Sequence, residues 1–113
     1  MVFTSNGRTA EQHIIIAGAG SVGHRTAQVL DDYGHAVYLI ERDHETADQV
    51  TGRHTGIVVE GDATDPEILR QTEPENADIL AALTGDGTTN FAVCAEVRHL
   101  ADDVRTVARV DEP

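Results

Sequence analysis

Six residues constrain this chain more than any others. Gly18-Ala19-Gly20-Ser21-Val22-Gly23 is a G-x-G-x-x-G run placed directly after the apolar segment Ile14-Ile15-Ile16-Ala17. The pattern alone is common, and its weight comes from what flanks it. Residues 13–17 read as a short strand; from Ser21 to Tyr33 the apolar positions Val22, Ala27, Leu30 and Tyr33 mark one face of a helix. Gly34 is placed to stop that helix in a left-handed cap. In a strand–turn–helix of this kind each glycine has a task. Gly18 permits the tight turn, Gly20 lets backbone approach a pyrophosphate, and Gly23 lets the helix pack close to the strand. The helix N-terminus adds unpaired N–H donors and about half a positive charge.

The rest of the chain continues the alternation. Strands are expected over 36–40, 57–60, 77–83 and 105–110, with a short helix over 43–52. Asp65-Pro66 opens another helix with a side-chain cap and a proline at its first position, where no backbone donor is lost. A fourth helix, beginning near Thr88 or Thr89, is expected to bury Phe91, Cys94, Val97 and either Leu100 or Ala101. Strands separated by helices imply an α/β fold with a parallel sheet. Right-handed crossovers give a Rossmann-like doubly wound sheet of five strands in the order 3-2-1-4-5, within three αβα layers. At 113 residues there is room for one domain, expected over 13–113, with 1–12 as a loose arm.

Composition removes several functions. Twenty acidic against eight basic residues give a net charge of −12, and all eight basic residues are arginine, scattered from Arg8 to Arg109. A nucleic-acid surface needs clustered cations, so nucleic acid is not an expected partner. Without lysine, Schiff-base chemistry and a P-loop are excluded. Nothing approaches the roughly 18 apolar residues of a membrane span, and no signal peptide is evident. The single cysteine, Cys94, permits no internal disulfide and suits a reducing cytoplasm, where it is expected as a small buried residue. A lysine-free acidic surface holds hydration in concentrated salt, which points to a halophilic host. The domain is then expected to be better folded in molar potassium chloride than at very low salt. Equal folding in both, followed by circular dichroism, would remove that reading.

The candidate site residues lie where strands end. Glu41 closes the second strand 18 residues after Gly23, where a carboxylate accepts both ribose hydroxyls of an adenosine and repels a 2′-phosphate; Arg42 beside it weakens that exclusion. In Gly61-Asp62-Ala63-Thr64, Asp62 and the Ala63 backbone are placed for the adenine edge, although Asp62 and Thr64 also suit capping of the following helix. Across the switch point, Thr84 leads a polar loop toward Asn90, which is expected either to meet the second phosphate and ribose or to cap a helix. Ser21 also fits an A-x-S-x-G nucleophile elbow, but the acid and histidine that such a serine needs are not placed for it: His99, the one histidine after residue 54, falls mid-helix. The histidines at 13, 24, 35, 44, 54 and 99 lack ligand spacing, so no metal site is expected. His24 is expected on the helix surface, and Asp31-Asp32 and Asp102-Asp103 as solvated helix ends. No residue is placed as a general acid or base.

Together these segments resemble the N-terminal NAD-binding domain of Trk-type potassium uptake regulators, the RCK or KTN family. The resemblance rests on residues 14–17 with the glycine turn, Tyr38-Leu39-Ile40-Glu41-Arg42-Asp43, Val58-Val59-Glu60-Gly61-Asp62-Ala63-Thr64, Ala77-Asp78-Ile79 with Leu83-Thr84 and Asn90, and Val107-Ala108-Arg109-Val110. It implies a non-enzymatic cytoplasmic subunit that binds NAD, NADH or an adenine nucleotide and signals occupancy to a membrane potassium transporter or channel. It also implies that Gly18, Ala19, Gly20, Ser21, Val22 and Gly23 serve the phosphates, Glu41 the ribose, and Asp62 with Ala63 the adenine. Arg109 would meet phosphate or a neighbouring subunit of a homodimer or larger ring. Family members that bind ATP often carry arginine after the second glycine. Ser21 stands there, which favours NAD or NADH over ATP or ADP. The family's next helix, remaining strand and C-terminal lobe fall outside the sequence, so a binding lobe with its signalling part elsewhere is expected. The alternatives are the cofactor half of a dehydrogenase, a methyltransferase core, or the front module of a phosphoesterase.

Overall fold

The computed structural model describes residues 11–53 and 56–110. Most of the segment expected as a loose arm, residues 1–10, lies outside the described residues, as does His54. Gln12, at the end of that segment, is tied down: its N–H donates to His35 Nδ1 at 3.0 Å and its carbonyl accepts from Ala36 N at 2.9 Å.

Five strands, β1 (His13–Ala17), β2 (Ala36–Glu41), β3 (Ile57–Glu60), β4 (Ile79–Ala82) and β5 (Arg105–Ala108), form one parallel sheet in the order β3-β2-β1-β4-β5. Helices α1 (Ser21–Asp32), α2 (His44–Gly52), α3 (Pro66–Arg70) and α4 (Gly87–Leu100) make the crossovers, with one 3-10 turn at Pro74–Asn76. The expected Rossmann-like topology is therefore the observed one. Because strand side chains alternate between faces, the sheet divides its apolar residues in two. Ile14, Ile16, Val37 and Leu39 pack with Ala27 of α1 and Val50 of α2. Ile15, Ala17, Leu80 and Ala82 pack on the other face with Leu69 of α3 and Val93 and Val97 of α4. A central strand buried on both sides must be apolar throughout, which is why β1 is nearly unbroken isoleucine.

Local chemistry sets the element ends. Gly34 (φ +88°) ends α1: its N–H donates to Asp31 O at 2.9 Å and that of His35 to Leu30 O at 3.1 Å, the paired bonds of a Schellman cap. Asp65 caps α3 by accepting from Glu67 N at 2.9 Å, with Pro66 in the first position. Replacing Asp65 by alanine is expected to cost about 1 kcal/mol. A shifted urea midpoint with an unchanged slope would register it.

Two helices keep part of the expected face, with Ala27 and Leu30 of α1 and Cys94, Val97 and Leu100 of α4 on the core side, and depart from it at Val22, Tyr33 and Phe91. On α1 the buried residues are Gly23 and Ala27, while Val22 (45% exposed) and Tyr33 (53%) face outward. Small residues at 23 and 27 let the helix lie closest to the sheet on that stripe, and this outweighs the larger apolar side chains. On α4 the inward face is Asn90, Val93 and Val97; Phe91 is 63% exposed and Cys94 only half-buried, its Sγ 3.9 Å from Val107 O. The phase is set by Asn90, whose hydrogen bonds hold it inside. His99 stands in the last turn of α4 beside Arg98, not mid-helix. The strands at 77–83 and 105–110 are shorter than expected: the 3-10 turn runs into Ala77, and pairing of β4 with β5 ends at Ala82 and Ala108.

Candidate functional site

All five parallel strands end on one edge of the sheet, and there the chain opens a crevice of about 600 Å³. It spans the switch point at β1 between the β2–β3 half and the β4–β5 half, where ligands enter open α/β sheets. Of the predicted residues, Gly18, Gly20, Ser21 and Val22 line it from the glycine turn. Glu41, Arg42, Asp62 and Ala63 line it from the β2 and β3 ends, and Thr84 and Arg109 from the β4 and β5 ends.

Ala19, Gly23 and Asn90 lie behind that surface. The three glycines divide their work visibly. A Cβ on Gly23 would stand 1.8 Å from Gly18 O; one on Gly18, which has φ +101°, would stand 2.9 Å from Thr84 N; one on Gly20 would meet nothing within 4 Å. Gly23 thus sets helix-to-strand contact and Gly18 the contact with the β4 loop. Gly20 leaves the backbone of the turn open toward the crevice.

Glu41 is held in place by the turn that it faces. Its Oε1 accepts from Ala19 N at 2.8 Å and its Oε2 from Asp43 N at 2.9 Å. Each carboxylate oxygen has two acceptor positions, so one on each is left for a ligand hydroxyl. Ala19 therefore serves the site by orienting Glu41 through its backbone.

Asp62 accepts both the N–H (2.9 Å) and the hydroxyl (2.7 Å) of Thr64 at one oxygen. It shapes a turn and does not cap α3, a task that belongs to Asp65. The Thr64 backbone bond, then its hydroxyl, and more weakly Arg42 hold the Asp62 carboxyl below its ordinary value. A lowered folded-state value means that this bonding stabilises the fold above the ordinary carboxylate pKa and is lost as pH falls through the lowered one. Thr64→Ala removes the hydroxyl and keeps the N–H, so it is expected to move the Asp62 titration only part of the way back up toward its ordinary value. Carboxyl NMR shifts against pH check this, and an unmoved titration would refute the contribution of the hydroxyl.

Asn90 was expected at a ligand or at a helix cap, and the structure places it at neither. It is 0% exposed and does not line the crevice, and the cap of α4 is Asp86, which accepts from Thr88 N at 2.9 Å. Asn90 Oδ1 instead accepts from Thr84 N (3.0 Å) and Thr84 Oγ1 (2.7 Å), while Nδ2 donates to Thr84 O (3.2 Å) and Arg109 O (2.8 Å).

Asp43 and Asp86 line the crevice and were not anticipated there. Both are helix N-caps at strand ends, and the Asp-x-x-Thr and Asp-x-Thr spacings were the available signal. Thr46, through its N–H and then its hydroxyl, holds the Asp43 carboxyl low. His24 lines a second hollow of about 230 Å³ behind the turn, where its Nδ1 lies 3.5 Å from Arg53. Asp31-Asp32 and Asp102-Asp103 lie exposed at helix ends. Among the described residues no group of three or more His, Cys, Asp or Glu side chains could hold a metal ion.

Electrostatically the crevice is mixed. Glu41, Asp43, Asp62 and Asp86 face Arg42, Arg109 and the N-terminus of α1. An anionic group is favoured at the turn and disfavoured beside Glu41. Hydroxyl-bearing and anionic parts of one ligand would therefore be sorted along the crevice.

The model of the TrkA-N domain matches residues 14–113. The chain belongs to the TrkA-N family. A relative in Pyrococcus abyssi, a Trk system potassium uptake protein TrkA homolog, is 40% identical over 101 residues, covering 89% of this chain and 44% of the relative. This TrkA-N domain thus spans less than half the length of that relative. Among solved structures it is similar to the NAD(P)-binding domain of an exopolyphosphatase-related protein from Archaeoglobus fulgidus, with TM-score 0.80, 20% identity, and coverage of 91% of this chain and 76% of that one. It is also similar to the GsuK channel bound to NAD, with TM-score 0.75, 24% identity, and coverage of 92% and 19%. At those identities the two structures establish the fold. Among the described residues of this TrkA-N domain, no helix is long and apolar enough to cross a membrane.

Proposed function

We propose that this TrkA-N domain is the nucleotide-binding part of a potassium-uptake regulator. It takes NAD or NADH in its crevice, with ATP or ADP as weaker ligands, and does no covalent chemistry. The observation that carries the reading is the Glu41 carboxylate, fixed by Ala19 N and Asp43 N at the crevice rim beside the unobstructed Gly20. That pairing suits a vicinal diol next to a pyrophosphate. Glu41 would hold the ribose, the Gly20–Ser21 backbone the phosphates, Asp62 and Ala63 the adenine side, and Thr84 and Arg109 the far half of a dinucleotide. The names of the relatives and the NAD-bound GsuK channel support the ligand class and the link to potassium.

A ligand can gate a partner only by binding one arrangement of the domain more tightly than another. In this proposal the gated partner is a membrane potassium transporter or channel subunit, reached from the cytoplasmic side by a homodimer or larger ring. Isothermal titration with NADH, NAD, ATP and ADP is the direct test. Saturable binding with NADH or NAD ahead of ATP is expected. Heat of dilution alone with all four would overturn the reading.

A further inference from the structure

Asn90 is a fully buried polar side chain with all of its bonding capacity in use, and none of that capacity is spent on its own helix. Both acceptor positions of Oδ1 and both hydrogens of Nδ2 go to Thr84, at the end of β4, and to Arg109, just beyond β5. Both residues line the crevice from the β4–β5 half of the sheet, Thr84 within the loop after β4 and Arg109 beyond β5. Thr84 is in turn packed against the glycine turn: the space at Gly18 is closed by Thr84 N at 2.9 Å and Thr84 Cγ2 at 3.0 Å from where a Cβ would be. No comparable bracket ties Asn90 to Glu41, Asp62 or Ala63 among the described residues.

We infer that Asn90 is a positioning residue: it touches no ligand, and it holds the Thr84 loop and the Arg109 segment as one preformed half-site for the second half of a dinucleotide. The inference rests on the nucleotide reading above. The physical reason is that a buried amide bonding two backbone segments leaves each with one arrangement; without it, binding must order the loop and the segment at a cost in affinity. Only ligands that reach that half bear the cost. The adenosine half is held by Glu41 and its own backbone partners, and it does not depend on Asn90.

The test compares wild-type and Asn90→Ala protein by isothermal titration with NADH, which spans the crevice, and with AMP, which carries the adenosine half alone. The expected result is at least tenfold weaker NADH binding with AMP affinity within twofold of wild type. Amide exchange supplies the readout that a general loss of stability would not move selectively. The Thr84 N–H, donated to Asn90 Oδ1, is expected to exchange faster in the variant while core amides of β1 and β2 keep their protection. If alanine prevents folding, Asn90→Ser, which keeps a hydroxyl in the buried space, is expected to give the same selectivity in smaller degree. Equal weakening of both ligands, or of neither, in a folded variant overturns the assignment. A wild-type protein that binds neither ligand instead overturns the nucleotide reading, and with it any role for Asn90 toward a ligand.

Discussion

Replacing Gly23 by alanine is expected to remove at least about 3 kcal/mol of stability, the upper part of the usual cost of overpacking. The reason is the obstacle. A Cβ built at position 23 stands 1.8 Å from the carbonyl oxygen of Gly18 and 2.9 Å from its carbonyl carbon. A carbon and an oxygen in ordinary contact stay more than about 3 Å apart, so α1 would have to withdraw from β1 by more than an ångström. A side chain in the way can rotate aside; a backbone carbonyl in the glycine turn cannot. Withdrawal also opens the Gly23–Ala27 stripe, by which α1 lies against the face of Ile14 and Ile16. Domains of this size have about 5–15 kcal/mol in total, so the loss would take much of it. Urea unfolding followed by circular dichroism measures the effect, and a midpoint like that of wild type would show that α1 retreats freely. Gly20→Ala is the matched control. A Cβ there meets nothing within 4 Å, so stability should change by less than about 1 kcal/mol while phosphate approach suffers.

That pair of glycines shows how much of the molecule was legible in its sequence. The strand order, the turn and the placement of Glu41 at the end of β2 all follow from period and punctuation, because a parallel sheet with helical crossovers has few alternatives. What could not be read was which of two adjacent helix residues faces inward and the direction of buried polar groups. Val22 and Phe91 are larger and more apolar than Gly23 and Asn90, so a rule that buries apolar residues puts the wrong one of each pair inside, although it places Ala27, Leu30, Val97 and Leu100 on the core side. Glycine at 23 acts through the absence of a side chain, and Asn90 through bonds to carbonyl and amide groups distant in sequence. Neither effect has a periodic signature. The same holds for Ala19, whose contribution is a backbone N–H aimed at Glu41. Asp62 shows the intermediate case: the Asp-x-Thr spacing marks a side-chain-bonded turn, but only the structure separates that turn from the cap at Asp65.

Glu41→Gln is expected to weaken NADH binding by about 100-fold or more. Hydrogen bonds from ribose hydroxyls to a carboxylate contribute about 1.5–3 kcal/mol each. Glutamine keeps one neutral acceptor and loses the other, so one bond is weakened to about 1 kcal/mol and one is lost, which together amounts to about 3 kcal/mol, at 1.4 kcal/mol per tenfold in affinity. The substitution also acts on the free protein. Ala19 N and Asp43 N each donate to a different carboxylate oxygen, and an amide can accept at one of those positions only. The half-buried Ala19 bond is expected to keep the carbonyl, which turns the new NH₂ toward Asp43 N and makes two donors face each other. The first residues of α2 then lose a fixed point at the crevice rim. The negative charge at position 41 also excludes a 2′-phosphate, so the ratio of NADPH to NADH affinity should rise in the variant, helped by Arg42 beside it. Titration of both dinucleotides against wild type and variant separates the two effects. A fall in NADH affinity with no change in that ratio would leave Glu41 as a diol acceptor without a role in discrimination. NADH affinity equal to wild type would place the ribose elsewhere in the crevice.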